Sequence, residues 1–338
     1  MRILVTGGAG YIGSHAVVEL LESGHTVSVL DNLRNSTPEA LYRVARITGR
    51  EPHFVQGDVR DRSLLDDVLA RGRFDAVMHF AGLKAVGESV AQPLRYFENN
   101  VGGTITLCRA MQQAGVFRLV FSSSATVYGD PLSVPIPESA PTGEPTNPYG
   151  RSKLMVEQVL RALPQADPRW SIALLRYFNP VGAHPSGLIG EDPLDTPNNL
   201  MPYIAQVAVG RLERVSVFGD DYPTPDGTGV RDYIHVLDLV RGHLRALEHI
   251  AVGSGVGTWN LGTGQGYSVL EMIEAFRRAS GREIPHVVAP RRPGDVAACW
   301  ADPALAERDL GWRAELGLTR MMEDTWRWQR QNPDGYRA

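Results

Sequence analysis

The sequence predicts an α/β protein with a doubly wound parallel sheet and a smaller mixed α/β substrate domain. Three observations carry this. The short apolar run Met1-Arg2-Ile3-Leu4-Val5-Thr6 enters the glycine turn Gly7-Gly8-Ala9-Gly10-Tyr11-Ile12-Gly13 directly. Strand-like and helix-like patterns then alternate as far as Tyr177. Beyond Tyr177, Pro, Gly, Asn and Asp dominate residues 179–202 and 219–229, which read as long functional loops.

After the glycine turn, apolar periodicity predicts a helix from about Tyr11 to Ser23, ending at Gly24. A second strand, His25–Leu30, runs into Asp31. Strand, glycine turn, helix, strand and acid make a Rossmann-like dinucleotide-binding unit. In it Gly7 allows the tight turn, Gly10 lets backbone approach a pyrophosphate, and Gly13 lets helix and strand pack closely. The phosphates belong on the helix N-terminus, where free N–H groups and the dipole favour anions. Asp31 is placed to accept from ribose hydroxyls and to repel a 2′-phosphate, so NAD is expected rather than NADP.

Pro38 is suited to the start of the next helix. Further strands are expected at His53–Gln56, Ala76–Phe80 and Arg118–Ser122, the last ending in Ser122-Ser123-Ser124. Small hydroxyls thus sit at a strand's C-terminal end, the edge where open α/β sheets bind ligands. Trp170–Tyr177 is expected to close this half. Shorter signals follow at Val215–Phe218, Asp232–Val236, 237–250, Thr258–Leu261 and 268–280. The expected division is residues 1–177 for the dinucleotide and 178–338 for substrate, with a soft boundary that allows a chain crossover.

The chain has 338 residues, 43% hydrophobic and 21% charged, ordinary values for a globular protein with a large core. A net charge of −4 argues against a nucleic-acid partner, which requires a basic face. The two cysteines, Cys108 and Cys299, make neither a metal-type cluster nor a disulfide framework. The first strand starts at residue 2 and no apolar run reaches the length of a membrane span, so a cytoplasmic protein is expected.

Asn147-Pro148-Tyr149-Gly150-Arg151-Ser152-Lys153 places a tyrosine and a lysine one helical turn apart, on one face. A phenol is a poor base near pH 7, with a reference pKa of about 10. A neighbouring ammonium favours the phenolate, so the pair is a device for moving a hydroxyl proton. The spacing is common by chance on amphipathic helices; the dinucleotide unit in the same domain gives it weight.

The glycine spacing G-x-x-G-x-x-G is the variant found with Tyr-x-x-x-Lys in extended short-chain dehydrogenases/reductases. More specific are His79-Phe80-Ala81-Gly82-Leu83-Lys84-Ala85-Val86-Gly87-Glu88-Ser89, Ser122-Ser123-Ser124-Ala125-Thr126-Val127-Tyr128-Gly129 and Leu175-Arg176-Tyr177-Phe178-Asn179-Pro180-Val181-Gly182-Ala183-His184. Pro197-Asn198-Asn199-Leu200-Met201-Pro202 and Gly229-Val230-Arg231-Asp232-Tyr233-Ile234-His235-Val236 join them. Together these runs resemble the UDP-glucose 4-epimerase family over essentially the whole chain.

The resemblance implies that Tyr149 takes the proton from the sugar C4 hydroxyl while NAD accepts the C4 hydride. The planar 4-keto sugar then turns over and the hydride returns to its opposite face. NAD is not consumed and stays bound. Lys153, together with the positive nicotinamide, is expected to lower the Tyr149 pKa, and it should also hold the nicotinamide ribose. Ser124 shares a hydrogen bond with the substrate oxygen and the tyrosine. Implied cofactor contacts are Gly7, Gly10, Tyr11, Ile12, Gly13, Asp31, Asn32, Asn35 and Ser36, with Asp58 and Val59 on the adenine side. Phe80, Ala81, Gly82, Lys84, Asn99, Ser122, Tyr149, Lys153 and Tyr177 complete them.

For the UDP-sugar the implied residues are Arg231 and Arg292 on the pyrophosphate and Asp295 on the uridine ribose. Asn179, Asn199 and Leu200 contact sugar and diphosphate, and Ser124 and Phe178 belong to the sugar pocket. Phe218 and Tyr233 belong to the uridine and phosphate region. Cys299 departs from the tyrosine found in members strict for UDP-glucose and UDP-galactose. A smaller side chain there leads to the expectation that UDP-GlcNAc and UDP-GalNAc are also interconverted. The resemblance further implies a homodimer built on helices near 93–114 and 149–163.

Related dehydratases carry Thr-Asp-Glu before Val-Tyr-Gly; here the run is Ser124-Ala125-Thr126, without the carboxylates that water elimination needs. A net dehydrogenase or reductase remains open from sequence. A non-catalytic NAD sensor need not keep Tyr149, Lys153 and Ser124 together. The nine histidines show no metal-ligand spacing and are read as structural.

Overall fold

The computed structural model describes residues 1–143, 145–193, 197, 199–292 and 294–337. The chain begins β1 (Arg2–Thr6), α1 (Tyr11–Glu22), β2 (Thr26–Asp31), α2 (Pro38–Thr48), β3 (His53–Gln56), α3 (Arg62–Gly72), β4 (Ala76–His79). Two short helices, α4 (Val86–Ala91) and α5 (Pro93–Tyr96), lead through a wide π-type turn, Phe97–Gly102, into α6 (Gly103–Ala114) and β5 (Arg118–Ser122). Next come α7 (Pro148–Ala166), β6 (Ser171–Tyr177), β7 (Asn179–Val181), α8 (Leu200–Ala208), β8 (Val215–Phe218), β9 (Val230–His235), α9 (Val236–Val252) and β10 (Gly255–Leu261). The remainder is β11 (Gly266–Ser268), α10 (Val269–Ser280), β12 (His286–Ala289), β13 (Ala298–Cys299), α11 (Ala304–Leu310) and α12 (Leu318–Gln331).

The main sheet has seven strands in the order β3-β2-β1-β4-β5-β6-β10. Every pairing in it is parallel. Strand side chains alternate between faces, so a parallel sheet covered on both sides builds two cores. Ile3, Val5, Val29 and Met78 pack with α1, α2 and α9. Leu4, Leu30, Val77 and Leu119 pack with α3, α6 and α7. A third core joins α8, α10 and α12 to β8 through Ile204, Phe276, Met321 and Val217.

One strand expectation is corrected. Trp170–Tyr177 does not close the sheet: β10 pairs with β6 from Gly255↔Ser171 to Leu261↔Tyr177. The first six residues of β6 are buried, as a strand flanked on both edges and both faces must be. The segment near 93–114 is one continuous helical run, α5 passing through a π-helical stretch at Phe97–Gly102 into α6. Among the described residues no helix is long and apolar enough to cross a membrane.

Strand order reverses direction between β1 and β4, which makes their C-terminal ends the topological switch point. The start of the loop after β4 is held to the end of β1 there: the N–H groups of Phe80 and Ala81 both donate to Thr6 O, at 2.9 and 3.1 Å. A crevice opens on this edge. α7 reaches the same edge because Asn147 caps it, accepting from Gly150 N at 2.9 Å, with Pro148 in its first turn.

Candidate active site

A cavity of ≈ 670 Å³ lies over the C-terminal ends of the strands. Its wall includes the glycine turn, the Phe80–Lys84 loop, Ser124, Tyr149, Lys153 and, opposite, Asn179, Arg231, Asp295 and Cys299. Residues far apart in sequence therefore share one space.

The glycine turn forms a cradle. A Cβ on Gly13 would lie 2.2 Å from Gly7 O, so only glycine lets α1 pack this closely. A Cβ on Gly10 would meet nothing nearer than Gly7 O at 3.4 Å, because that position faces the cavity. Backbone there is open to a ligand at the N-terminus of α1, as phosphate binding requires. Asp31 organises the neighbouring loop: its carboxylate accepts from Ala9 N (3.0 Å), Leu33 N (2.9 Å) and Ser36 Oγ (2.8 Å). A carboxylate offers about four acceptor positions, which leaves room for one ribose hydroxyl. Asn32 Nδ2 donates to Asp58 at 2.9 Å. Arg60 hydrogen-bonds Asp58 and holds its carboxyl well below the usual range.

At the centre, Ser124 and Tyr149 line the cavity together, and the Ser124 hydroxyl favours the Tyr149 phenolate. Ser124 Oγ also accepts from Thr126 N at 3.3 Å and Thr126 Oγ1 at 3.0 Å. Lys153 Nζ donates to Ser122 O at 2.8 Å and lies 6.0 Å from the Tyr149 ring centroid. Burial raises the Tyr149 phenol, and the neighbouring Ser124 hydroxyl opposes that shift. Burial also brings the Lys153 ammonium down to about 8, with Glu157 pulling it up. Helical spacing identifies a shared face; it says nothing of how deeply that face is buried.

Behind this group, Ser122 Oγ contacts His243 Nε2 at 3.0 Å, and His243 Nδ1 contacts Leu239 O at 2.9 Å. Burial pushes His243 down to about 4, so it is neutral and Nδ1 is the donor to the carbonyl. Ser122 then donates to Nε2 and is free to accept from Tyr177. Asn99 on the π-type turn lines the cavity, its amide donating to Asn100 Oδ1 at 3.0 Å.

On the far side, Cys299 of β13 pairs in register with Arg231 of β9. Arg231 Nη1 donates to Val230 O at 2.8 Å, which leaves most of its fork unspent. Arg292 lies 3.3 Å from Asp295 and 4.4 Å above the Phe218 ring. Burial raises the Tyr233 phenol to about 12 although Arg231 and Arg292 pull it down. The Cys299 thiol is pushed up to about 11 by burial, so it is not a reactive thiolate.

The family model of the NAD dependent epimerase/dehydratase family matches residues 3–262. The chain belongs to this family. It is 62% identical over 338 residues to the UDP-glucose 4-epimerase of Bacillus subtilis (strain 168), across 100% of this chain and 99% of that relative. The crystal structure of UDP-glucose 4-epimerase from Bifidobacterium longum in complex with NAD+ and UDP matches with a TM-score of 0.97 and 56% identity, covering 99% and 100% of the two chains. The Stenotrophomonas maltophila UDP-glucose-4-epimerase with bound NAD and formylated UDP-arabinopyranose matches with a TM-score of 0.96 and 56% identity, covering 98% and 99%.

Within this epimerase/dehydratase fold, most residues picked from sequence line the cavity. They include Ile12, Asn35, Val59, Gly82, Tyr177, Phe178 and Asn199. Asp58, Ser122, Leu200, Phe218, Tyr233 and Arg292 do not line it. Lys84 reaches the rim, where it pairs with Glu191 at 3.1 Å. Asn199 donates to the same Glu191 oxygen at 3.2 Å.

Glu191, Asn100 and Tyr336 are among the residues that the sequence does not single out. Glu191 lies in the polar stretch 179–202 that composition marks as functional, so its acidic side chain was a usable signal. Asn100 uses its whole amide: Oδ1 accepts from Leu83 N (2.8 Å), and Nδ2 donates to Leu83 O (3.0 Å) and Ser152 Oγ (2.9 Å). It thereby ties the Phe80–Lys84 loop to α7; the doubled Asn99-Asn100 was its only trace. Tyr336 also lines the cavity, and nothing near it in sequence points there.

Proposed function

We propose that the chain interconverts UDP-glucose and UDP-galactose, with NAD as a retained redox cofactor. The observation that carries this is one cavity with three parts: a glycine cradle, the Tyr149–Ser124–Lys153 group, and the Arg231–Asp295 side opposite. The cradle fits NAD on its own geometry, since Gly10 opens to the cavity at the N-terminus of α1 and Asp31 keeps one acceptor position for a ribose. Gly7, Gly10, Tyr11, Ile12 and Gly13 hold the pyrophosphate. Asp31, Asn32, Asn35, Ser36, Asp58 and Val59 hold the adenosine side. Phe80, Ala81, Gly82, Lys84, Asn99, Ser122, Lys153 and Tyr177 hold or back the nicotinamide side.

Bound NAD supplies reversible two-electron oxidation at C4. Tyr149 takes the C4 hydroxyl proton and later returns it. Ser124 keeps the reacting oxygen and the phenol in one hydrogen-bonded group. Lys153 provides positive charge near Tyr149, which lowers the cost of the phenolate that burial alone raises. Arg231 and Arg292 clamp the diphosphate, a task suited to a planar fork of donors. Asp295 takes the uridine ribose, and Asn179, Asn199, Leu200, Phe178, Phe218 and Tyr233 complete the substrate wall. The diphosphate stays anchored while the 4-keto sugar turns, so either face meets the same centre.

Residues 1–177 act as the NAD-binding part and 178–338 as the UDP-sugar-binding part, with β10 returning to the main sheet. Cys299 lines the cavity and packs against the cluster that holds Phe178; its small side chain, where strict members carry tyrosine, supports reading UDP-GlcNAc and UDP-GalNAc as further substrates. The enzyme works as a cytoplasmic homodimer in galactose and nucleotide-sugar metabolism. Ala125 and Thr126, not carboxylates, line the cavity next to Ser124, which disfavours a dehydratase. The test is to supply UDP-galactose to the purified protein without added nucleotide. UDP-glucose formed with no net NADH supports an epimerase; accumulating NADH identifies a dehydrogenase.

A further inference from the structure

An enzyme that reuses one NAD must keep it through every turnover. The cradle alone does not enclose it, since the N-terminus of α1 faces an open cavity. The wall beside Tyr11 is completed by a part of the chain remote in sequence, the segment Asn332–Arg337. Tyr336 in this segment lines the cavity together with Gly190, Glu191 and Asp192.

The segment is fastened at several points. Tyr336 N donates to Asp192 Oδ2 at 2.8 Å, and its hydroxyl meets Gly190 N at 3.3 Å. The Gly335 backbone is pressed so close to Asp192 that a Cβ there would lie 2.1 Å from its carboxylate, at a φ of 72°. Asn332 donates to Gly187 O at 2.9 Å. Arg43 of α2 binds this assembly to the dinucleotide half of the sheet. Its guanidinium lies 5.0 Å from the Tyr336 ring centroid and donates to Asn332 Oδ1 at 2.6 Å and Leu188 O at 3.1 Å. Arg43 and Asn332 are both buried, so these bonds face little competition from water.

We propose that Asn332–Arg337 is a clasp that retains the bound dinucleotide, with Tyr336 as its cavity-facing residue and Arg43 as its anchor. This rests on the NAD reading above. The clasp closes over the 187–193 loop rather than touching Tyr149 or Lys153. It acts on how long the nucleotide stays.

The experiment measures bound NAD in wild type, Tyr336→Ala and Gly335→Ala proteins through repeated desalting, beside UDP affinity and circular dichroism. Both variants are expected to lose NAD about tenfold faster than wild type, the effect of weakening one or two contacts. UDP affinity stays within about twofold, and saturating added NAD restores kcat. Gly335→Ala changes no cavity-lining side chain, so its loss reports the fastening alone. If Tyr336→Ala does not fold, Tyr336→Leu takes its place under the same criteria. Wild type that holds NAD, with folded variants that hold it equally long, overturns the clasp alone. Wild type that neither carries nor binds NAD overturns the clasp and the cofactor reading together.

Discussion

Lys153 Nζ donates to the backbone oxygen of Ser122 across 2.8 Å, joining α7 to the C-terminal end of β5. The same strand end leads into Ser124, which lines the cavity with Tyr149 and favours its phenolate. One buried ammonium thus aligns the two elements that carry the proposed acid–base group.

Tyr149→Phe removes the proton acceptor but keeps the ring. Its kcat should fall about 10²–10⁴-fold, the usual worth of a positioned acid–base group, with bound NAD unchanged. Steady-state turnover of UDP-galactose and the nucleotide content of the purified variant check this. Activity near wild type would remove Tyr149 from the mechanism.

The buried Lys153 predicts a pH-dependent stability. Its folded pKa is about 8 against an ordinary 10.5. Between those values the unfolded chain holds a proton that the folded chain has released, so the wild type gains stability as pH rises through that window. Below about pH 8 the full cost of burying the charge applies, at most roughly 3 kcal/mol. Lys153→Met escapes this cost while losing one hydrogen bond. Denaturant unfolding should show the variant gaining on wild type at pH 7 and the difference shrinking by pH 10, while its kcat falls sharply. A stability difference that ignores pH would contradict the reading.

Arg292 stacks on Phe218 and pairs with Asp295, a planar geometry that lysine cannot reproduce. Both Arg292→Ala and Arg292→Lys should raise KM for UDP-galactose about tenfold to a hundredfold, with a smaller change in kcat. An unchanged KM in Arg292→Lys would show that only charge matters there.

Cys299→Tyr should abolish turnover of UDP-GalNAc while keeping most turnover of UDP-galactose, because a ring then occupies the space beside Phe178. Paired assays of both sugars decide it. If wild type ignores UDP-GalNAc, Cys299 does not set sugar size.

The local elements were legible because they depend on local patterns. Helix α2 begins at Pro38 and β8 spans Val215–Phe218, as propensity and turn chemistry indicate. The glycine turn, Asp31 and Tyr149–Lys153 were readable for the same reason. What depends on long-range packing was not. The crossover that the soft boundary allowed is settled only by burying both edges of β6, which brings β10 beside it, and Tyr336 reaches Tyr11's side of the cavity only through the docking of α12. The raised Tyr149 pKa follows from depth in the interior, which a four-residue spacing does not encode.

The most direct test uses UDP-galactose carrying deuterium at C4, with no nucleotide added. The predicted result is UDP-glucose that keeps the deuterium at C4, with no NADH released, because the hydride leaves and returns within one site. Loss of the label to solvent, or NADH accumulating with the turnover, would contradict the retained-cofactor epimerase.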